Sequence, residues 1–171
     1  MLTLIALIFA IVVPNLGTFV PTARLQGSGN NIRRTLDWLR SEARIQGRRM
    51  AMDIDLDRGQ WRVVLPPEEH LTRDQEAWTI EERAEEWESV ETDVKFAGAG
   101  DAKNGLVHRG VYRILFDEYG FSSDQTIVLQ LVSDPTQVWS LGLMGLSGRM
   151  TIETSDKGEI PTPTAPLEGA F

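Results

Sequence analysis

The chain of 171 residues contains no cysteine, which excludes a disulfide scaffold and any thiolate metal site. Histidine is almost as scarce. His70 and His108 stand 38 positions apart, and neither has a neighbour at ligand spacing. No G-x-S-x-G, phosphate-binding loop or G-x-G-x-x-G is present, and Gly145-Leu146-Ser147-Gly148 reads as a turn between strands. Positive charge is in deficit: 17 Lys+Arg against 25 Asp+Glu leave a net charge of −8, which argues against generic nucleic-acid binding. The sequence offers no nucleophile–base pair, no cofactor motif and no metal cluster. An enzyme is not expected.

What is present is distributed unevenly. Residues 1–13, MLTLIALIFAIVV, carry no charge. As a helix they cover roughly 20 Å, short of the ~30 Å hydrocarbon core of a bilayer. Such a run is too apolar to lie in water and too short to span. No Lys or Arg precedes it, and Val12-Val13-Pro14-Asn15 is no small-residue cleavage site, so it does not read as a signal peptide. Further on, Leu25, Ile32, Leu36, Leu39 and Ala43 recur at steps of seven, four, three and four, forming one stripe of a helix. Gly47 stands where a C-terminal glycine would end it. Seven arginines against Asp37 and Glu42 give residues 24–49 a net +5, a face suited to acidic partners, anionic lipid heads or plain solvent.

The period then shifts to two. Met50, Met52, Ile54 and Leu56 alternate with Ala51, Asp53, Asp55 and Asp57; Asp57-Arg58-Gly59 turns the chain; Trp61, Val63 and Leu65 alternate again. The three aspartates resemble the start of a calcium loop, but Arg58 stands in place of the glycine and Val64 in place of the closing glutamate. A solvated strand face accounts for them. Residues 66–93 hold eleven acidic residues and two basic ones, a net of −9. Thr72-x-x-Gln75 followed by Ala77, Ile80, Ala84 and Trp87 predicts a short amphipathic helix there, docked on a sheet by the Trp78/Trp87 region. Val90–Phe96, Val111–Phe116, Ile127–Val132, Val138–Leu143 and Arg149–Glu153 read as strands, with a Gly-rich loop from Gly98 to Gly110. From Thr154 onward Ser, Gly and Pro predict a flexible tail.

The fold class expected is α+β: a long N-terminal hydrophobic and amphipathic helix, then an antiparallel β-sheet or β-sandwich head. The divisions are 1–23, an apolar membrane or filament helix; 24–49, the amphipathic stalk; 50–153, the head with the acidic insertion 66–93; and 154–171, the tail.

Three stretches make this order resemble type IV pilin-like proteins, and within them the minor pseudopilins of the GspH/FimT family. Val13-Pro14-Asn15-Leu16 looks like the V-P-N-L after the pilin membrane segment. Leu36-Asp37-Trp38-Leu39-Arg40-Ser41-Glu42-Ala43-Arg44-Ile45-Gln46-Gly47-Arg48 is similar to the family's L-x-x-A-R-S-E-A-x-x-x-G-R. Phe116-Asp117-Glu118-Tyr119-Gly120-Phe121-Ser122 and Ser147-Gly148-Arg149-Met150 resemble its F-x-x-x-G-x-S turn and its T-G-R-V strand. One departure stands out: Thr3-Leu4-Ile5-Ala6-Leu7 has Ala6 where the family's assembly glutamate belongs. Aligned on Pro14, Met1 falls about eight residues inside the family's mature helix. Eight more apolar residues would bring the run to bilayer length, so the start is expected to be truncated; the alternative is a divergent member lacking leader, cleavage site and glutamate.

The resemblance implies a non-enzymatic filament subunit without cofactor. It would be a prepilin held in the inner membrane by one span with a periplasmic head, its trimmed N-terminus methylated, and would serve type II secretion. Its implied partners are other pseudopilins or pilins, the inner membrane, and a prepilin peptidase if the true N-terminus carries a leader; nucleic acid is not among them. Leu2, Leu4, Ile5, Leu7, Ile8, Phe9, Ile11, Val12 and Val13 would anchor and pack the filament helix, with Pro14 loosening it at the membrane boundary. Leu25, Ile32, Leu36, Leu39 and Ala43 would hold the head to the stalk. The alternatives are a minor pilin of a type IV pilus, serving adhesion or DNA uptake, and an anchored periplasmic binding domain.

Overall fold

A computed structural model describes residues 2–66 and 83–163, with the backbone alone for 2–20. One helix, α1, runs without a break from Leu2 to Gln46, through Pro14 and Pro21. At ~1.5 Å per residue its 45 residues extend about 68 Å. Gly47, at φ 61°, ends it, and Arg48 N–H closes back on Ala43 O at 3.1 Å. Among the described residues no helix is long and apolar enough to cross a membrane. The side chains of Leu2 to Pro14, on which the anchoring expectation falls, lie outside the described set.

Among the described residues ten strands follow in two antiparallel sheets: β1 (Met50–Asp55), β2 (Gln60–Leu65), β3 (Arg83–Ala84), β4 (Glu88–Ser89), β5 (Val94–Asp101), β6 (Gly105–Val107), β7 (Val111–Phe116), β8 (Gln125–Leu131), β9 (Val138–Leu143) and β10 (Met150–Ser155). The first sheet has the order β3-β2-β1-β7, with β4 also on β2; the second has the order β10-β9-β8-β5-β6. The chain thus leaves the first sheet after β4, builds β5 and β6, returns to add β7, and leaves again. This is an α+β architecture, one helix followed by antiparallel sheets.

One core joins the three layers. Leu25, Ile32, Leu36, Leu39 and Ala43, at 2% exposure or less, face Met52 and Ile54 of β1, Ile127 and Leu129 of β8, and Trp139 and Leu141 of β9. The helix touches both sheets. Its period of 3.6 and the strands' period of 2 converge on the same apolar interior.

Four expectations need correction. The aspartates of β1 are not on a solvated face: β1 is buried throughout, and Asp53 is 1% exposed. It lies in the middle of the sheet, between β2 and β7, where the row Arg62–Asp53–Arg113 crosses three strands. The helix predicted through Ala84 and Trp87 is not formed there, because Arg83–Ala84 and Glu88–Ser89 pair as short strands with β2. The rest of that prediction, residues 67–82 with Trp78, lies outside the described residues. The strand predicted from Val90 begins at Val94, and the supposed Gly-rich loop holds the end of β5 and all of β6. The tail begins later than Thr154: β10 continues to Ser155, and Gly158 N–H donates to Thr136 O at 2.8 Å.

Candidate functional site

The junction of helix and head is organised by Arg40. It follows Leu39, so its side chain leaves the helix at the border of the buried stripe. Its Nε donates to Gly120 O at 3.2 Å, and its NH2 nitrogen donates to Ser147 O at 2.8 Å. One guanidinium thereby holds two turns that are 27 residues apart in sequence. A planar fork of several N–H groups suits this double contact; an ammonium would not.

Each turn is built for the contact. In the first, Asp117 Oδ1 accepts from the backbone N–H of Tyr119 at 2.9 Å and of Phe121 at 2.8 Å, and Gly120 N–H closes on Asp117 O. In the second, Gly148 N–H donates to Met144 O at 2.7 Å, and Met144 N–H to Arg149 O at 2.9 Å. Gly120 and Gly148 have φ of 76° and 69°, and neither has room for a side chain. A methyl group on Gly148 would fall 1.9 Å from Arg40 Cζ, and one on Gly120 would fall 2.6 Å from Arg44 Cγ. The turns are also joined to each other: Ser122 N–H donates to Gly145 O at 3.2 Å, and Gly145 N–H to Asp124 Oδ1 at 2.7 Å. The helix motif, the F-x-x-x-G-x-S turn and the G-R turn, separate in sequence, meet at this one arginine.

A second polar cluster braces the first sheet. Arg113 forks onto Asp53 (Nε to Oδ1 at 2.6 Å, NH2 to Oδ2 at 3.0 Å), and Arg62 reaches Oδ2 at 3.1 Å from the other side. Burial pushes the Asp53 carboxyl upward, but the hydrogen bonds and charges of Arg113 and Arg62 outweigh it and hold it below the usual carboxylate range. The ring of Trp87 stacks on Arg62 at 4.4 Å, which fastens the root of the acidic segment to the sheet. Nearby, Tyr112 hydroxyl donates to Gln125 Oε1 and Gln125 Nε2 to Ser123 Oγ, tying β7 to β8.

Nothing here resembles a reaction centre. Among the described residues no three His, Asp or Glu side chains are grouped to hold a metal. His108 Nδ1 lies 2.6 Å from Ala97 O, and His70 is outside the described residues. An open groove of about 320 Å³ on the second sheet is lined by Thr126, Ser140, Thr151, Glu153 and Pro161, among others.

The fold is pilin-like, shared with solved structures of a minor pseudopilin and a type IV minor pilin. The chain is 14% identical to the minor pseudopilin EpsH from the type 2 secretion system of Vibrio cholerae, with a TM-score of 0.53 over 82% of this chain and 99% of that one. A second structure of EpsH gives a TM-score of 0.51 over 76% of this chain and 96% of that one. The type IV minor pilin FimU of Pseudomonas aeruginosa matches with a TM-score of 0.50 at 14% identity, over 82% of this chain and 99% of that one. No family profile matches the sequence, and no curated protein does.

Sequence reasoning located the buried stripe but missed the roles of Arg40 and Asp53. Arg40 was visible as the arginine of the helix motif, without a reason for its presence. Asp53 was visible as a carboxylate whose hairpin register sets it opposite Arg62.

Proposed function

We propose that this chain is a non-enzymatic structural subunit of a pilin-like filament, a minor pseudopilin of a type II secretion system supporting protein export. The observation that carries the reading is the fold shared with EpsH and FimU; in this chain one long helix is both stalk and core element of the head. The stripe from Leu25 to Ala43 holds head to stalk, so that a pull on the helix is transmitted to both sheets. Residues 1–23 carry no charged side chain, and the first is Arg24. That supports a helix held in the inner membrane before assembly, with the head in the periplasm and a prepilin peptidase acting on any leader. In the filament such a helix exchanges lipid for neighbouring helices with little change in solvation.

A minor pilin of a type IV pilus is the second reading, supported by the likeness to FimU. DNA uptake by the head itself is disfavoured, since residues 50–153 hold nine basic against twenty acidic residues.

The chain has no cysteine, so one introduced thiol is unique. Trp38 is 45% exposed on the helix face turned from the sheets. Trp38→Cys, expressed in its native cell with a thiol-directed crosslinker, should couple to other pilin-like proteins. Coupling to none of them removes the filament reading. Which system's subunits are captured decides between secretion and pilus.

A further inference from the structure

The two turns held by Arg40 carry four large apolar side chains outward. Tyr119 is 65% exposed, Phe121 41%, Met144 40% and Leu146 76%. They form one patch: Tyr119 and Phe121 flank Gly120, their ring centroids 6.4 Å apart, and Leu146 adjoins Ser147, whose carbonyl shares the Arg40 guanidinium with Gly120 O. Arg44, whose stem lies against Gly120, and Arg149, next to Gly148, edge the patch. Neither has an ion-pair partner among the described residues, and both are exposed. A contiguous exposed apolar surface with a charged rim marks a site of protein association.

The opposite flank of the same molecule has complementary chemistry. On the far side of the first sheet from β7, around β3 and β4, Glu85, Glu86 and Glu88 are exposed and have no ion-pair partner among the described residues. Trp87 fixes this edge by stacking on Arg62, so its carboxylates are presented from a braced strip. The turn that bears Tyr119 and Phe121 follows β7 at the other edge of that sheet. Two strands, β2 and β1, separate the two edges, so the braced edge of one molecule does not meet its own patch. A symmetric patch-to-patch pairing would set Arg44 and Arg149 against their own copies, which like-charge repulsion disfavours.

We propose that the patch of Tyr119, Phe121, Met144 and Leu146 binds the Glu85–Glu88 edge of a second copy of this chain, head to tail. The inference rests on the filament reading. Apolar side chains supply the contact area, and the arginine rim against the glutamates sets its direction. Such a contact uses a different surface on each partner, so it can pass from copy to copy and builds an open filament where the rotation does not close a ring.

Two single-cysteine forms of the full chain, Leu146→Cys and Glu86→Cys, are mixed in detergent micelles and oxidised. The mixed disulfide should exceed, by about tenfold, that between Leu146→Cys and Lys103→Cys, whose thiol sits on the β5–β6 turn. Arg44→Glu with Arg149→Glu in the Leu146→Cys form should cut the yield by a similar factor. Glu85→Lys with Glu88→Lys in its partner should restore it, and rising salt should lower the unaltered pair. Equal yields at Lys103, a dominant Leu146–Leu146 disulfide, no disulfide, or indifference to charge reversal each overturns the proposal. So does coupling of Leu146→Cys in cells only to a different pilin-like protein. If these fail while Trp38→Cys still captures pilin-like partners, the self-contact is wrong and the filament reading stands. If Trp38→Cys captures none, the filament reading is what fails.

Discussion

Gly29 of the helix lies flat against the indole of Trp139 on β9, so close that a methyl group at position 29 would fall 2.4 Å from Trp139 Cε2. The indole is 2% exposed and walled in by the core. No flexible end is available to move aside. Two residues earlier, Gly27 has nothing within 4 Å of the same position.

The two glycines should therefore respond oppositely to alanine. Gly29→Ala should destabilise by about 2 kcal/mol through overpacking, roughly 6 °C in Tm for a chain of this size. Gly27→Ala should stabilise by about 0.5–1 kcal/mol, because glycine is costly within a helix. Paired thermal melts decide the matter, and a shared sign for the two variants would sink the packing account.

Asp53 should make the acid limit of stability recognisable. Its carboxyl is held below the usual range by Arg113 and Arg62, against the opposing effect of burial. A group with a depressed folded pKa contributes fully above its unfolded value, near 3.8, and loses that contribution as pH falls through the folded value. Asp53→Asn should cost about 2 kcal/mol at pH 7, less than for a fully enclosed pair because both arginines are partly exposed. Urea melts from pH 7 to pH 2 should show the two proteins converging toward the acid end. Parallel curves would mean that Asp53 is not ionised in the folded state.

Arg40 and Gly148 should behave as one unit. Arg40→Ala releases two carbonyls, and Gly148→Ala drives a methyl group into the space the guanidinium occupies. Each should speed amide exchange at Ser122 and Gly148 by about tenfold or more and leave β8 unchanged. The double variant should cost clearly less than the sum of the singles, by about 1 kcal/mol or more, as expected for groups that share a contact. Simple additivity would show that the arginine does not clamp the turns.

Leu36 is fully buried on the stripe, and Leu36→Asp should place an unpaired carboxylate in the core. A loss above about 3 kcal/mol is expected, enough to unfold a marginal head. An unchanged melting temperature would refute the idea that this stripe holds head to stalk.

Much of the helix and most of the strands were legible because periodicity reports which face is buried. Ala43 and Leu36 are fixed by a step of seven, whatever they pack against. Val111–Phe116 announces itself by alternation and by branched and aromatic side chains. Asp53 was misread for a reason of the same kind: alternation says only that it opposes Met52, not that Arg62 and Arg113 would roof it over. That roof depends on β7, which arrives some sixty residues later, and no local pattern encodes the pairing. Arg40 posed a similar problem. Its partners are backbone carbonyls, which every residue has, so only the glycines that make room for it left a trace in the sequence.

The return of the chain to the first sheet for β7, after β5 and β6 have joined the second, sets an order of events in folding. β1 gains its second neighbour only when Val111–Phe116 has been made, and by then β5 and β6, two of the other sheet's five strands, already exist. Neither sheet can close by local pairing alone, so the head is expected to form late, slowly and all at once. The helix, in contrast, forms from contiguous residues and is complete before any strand exists. On emerging from the ribosome the stalk precedes its cargo, with the Leu25–Ala43 stripe bare until the last strands arrive to cover it.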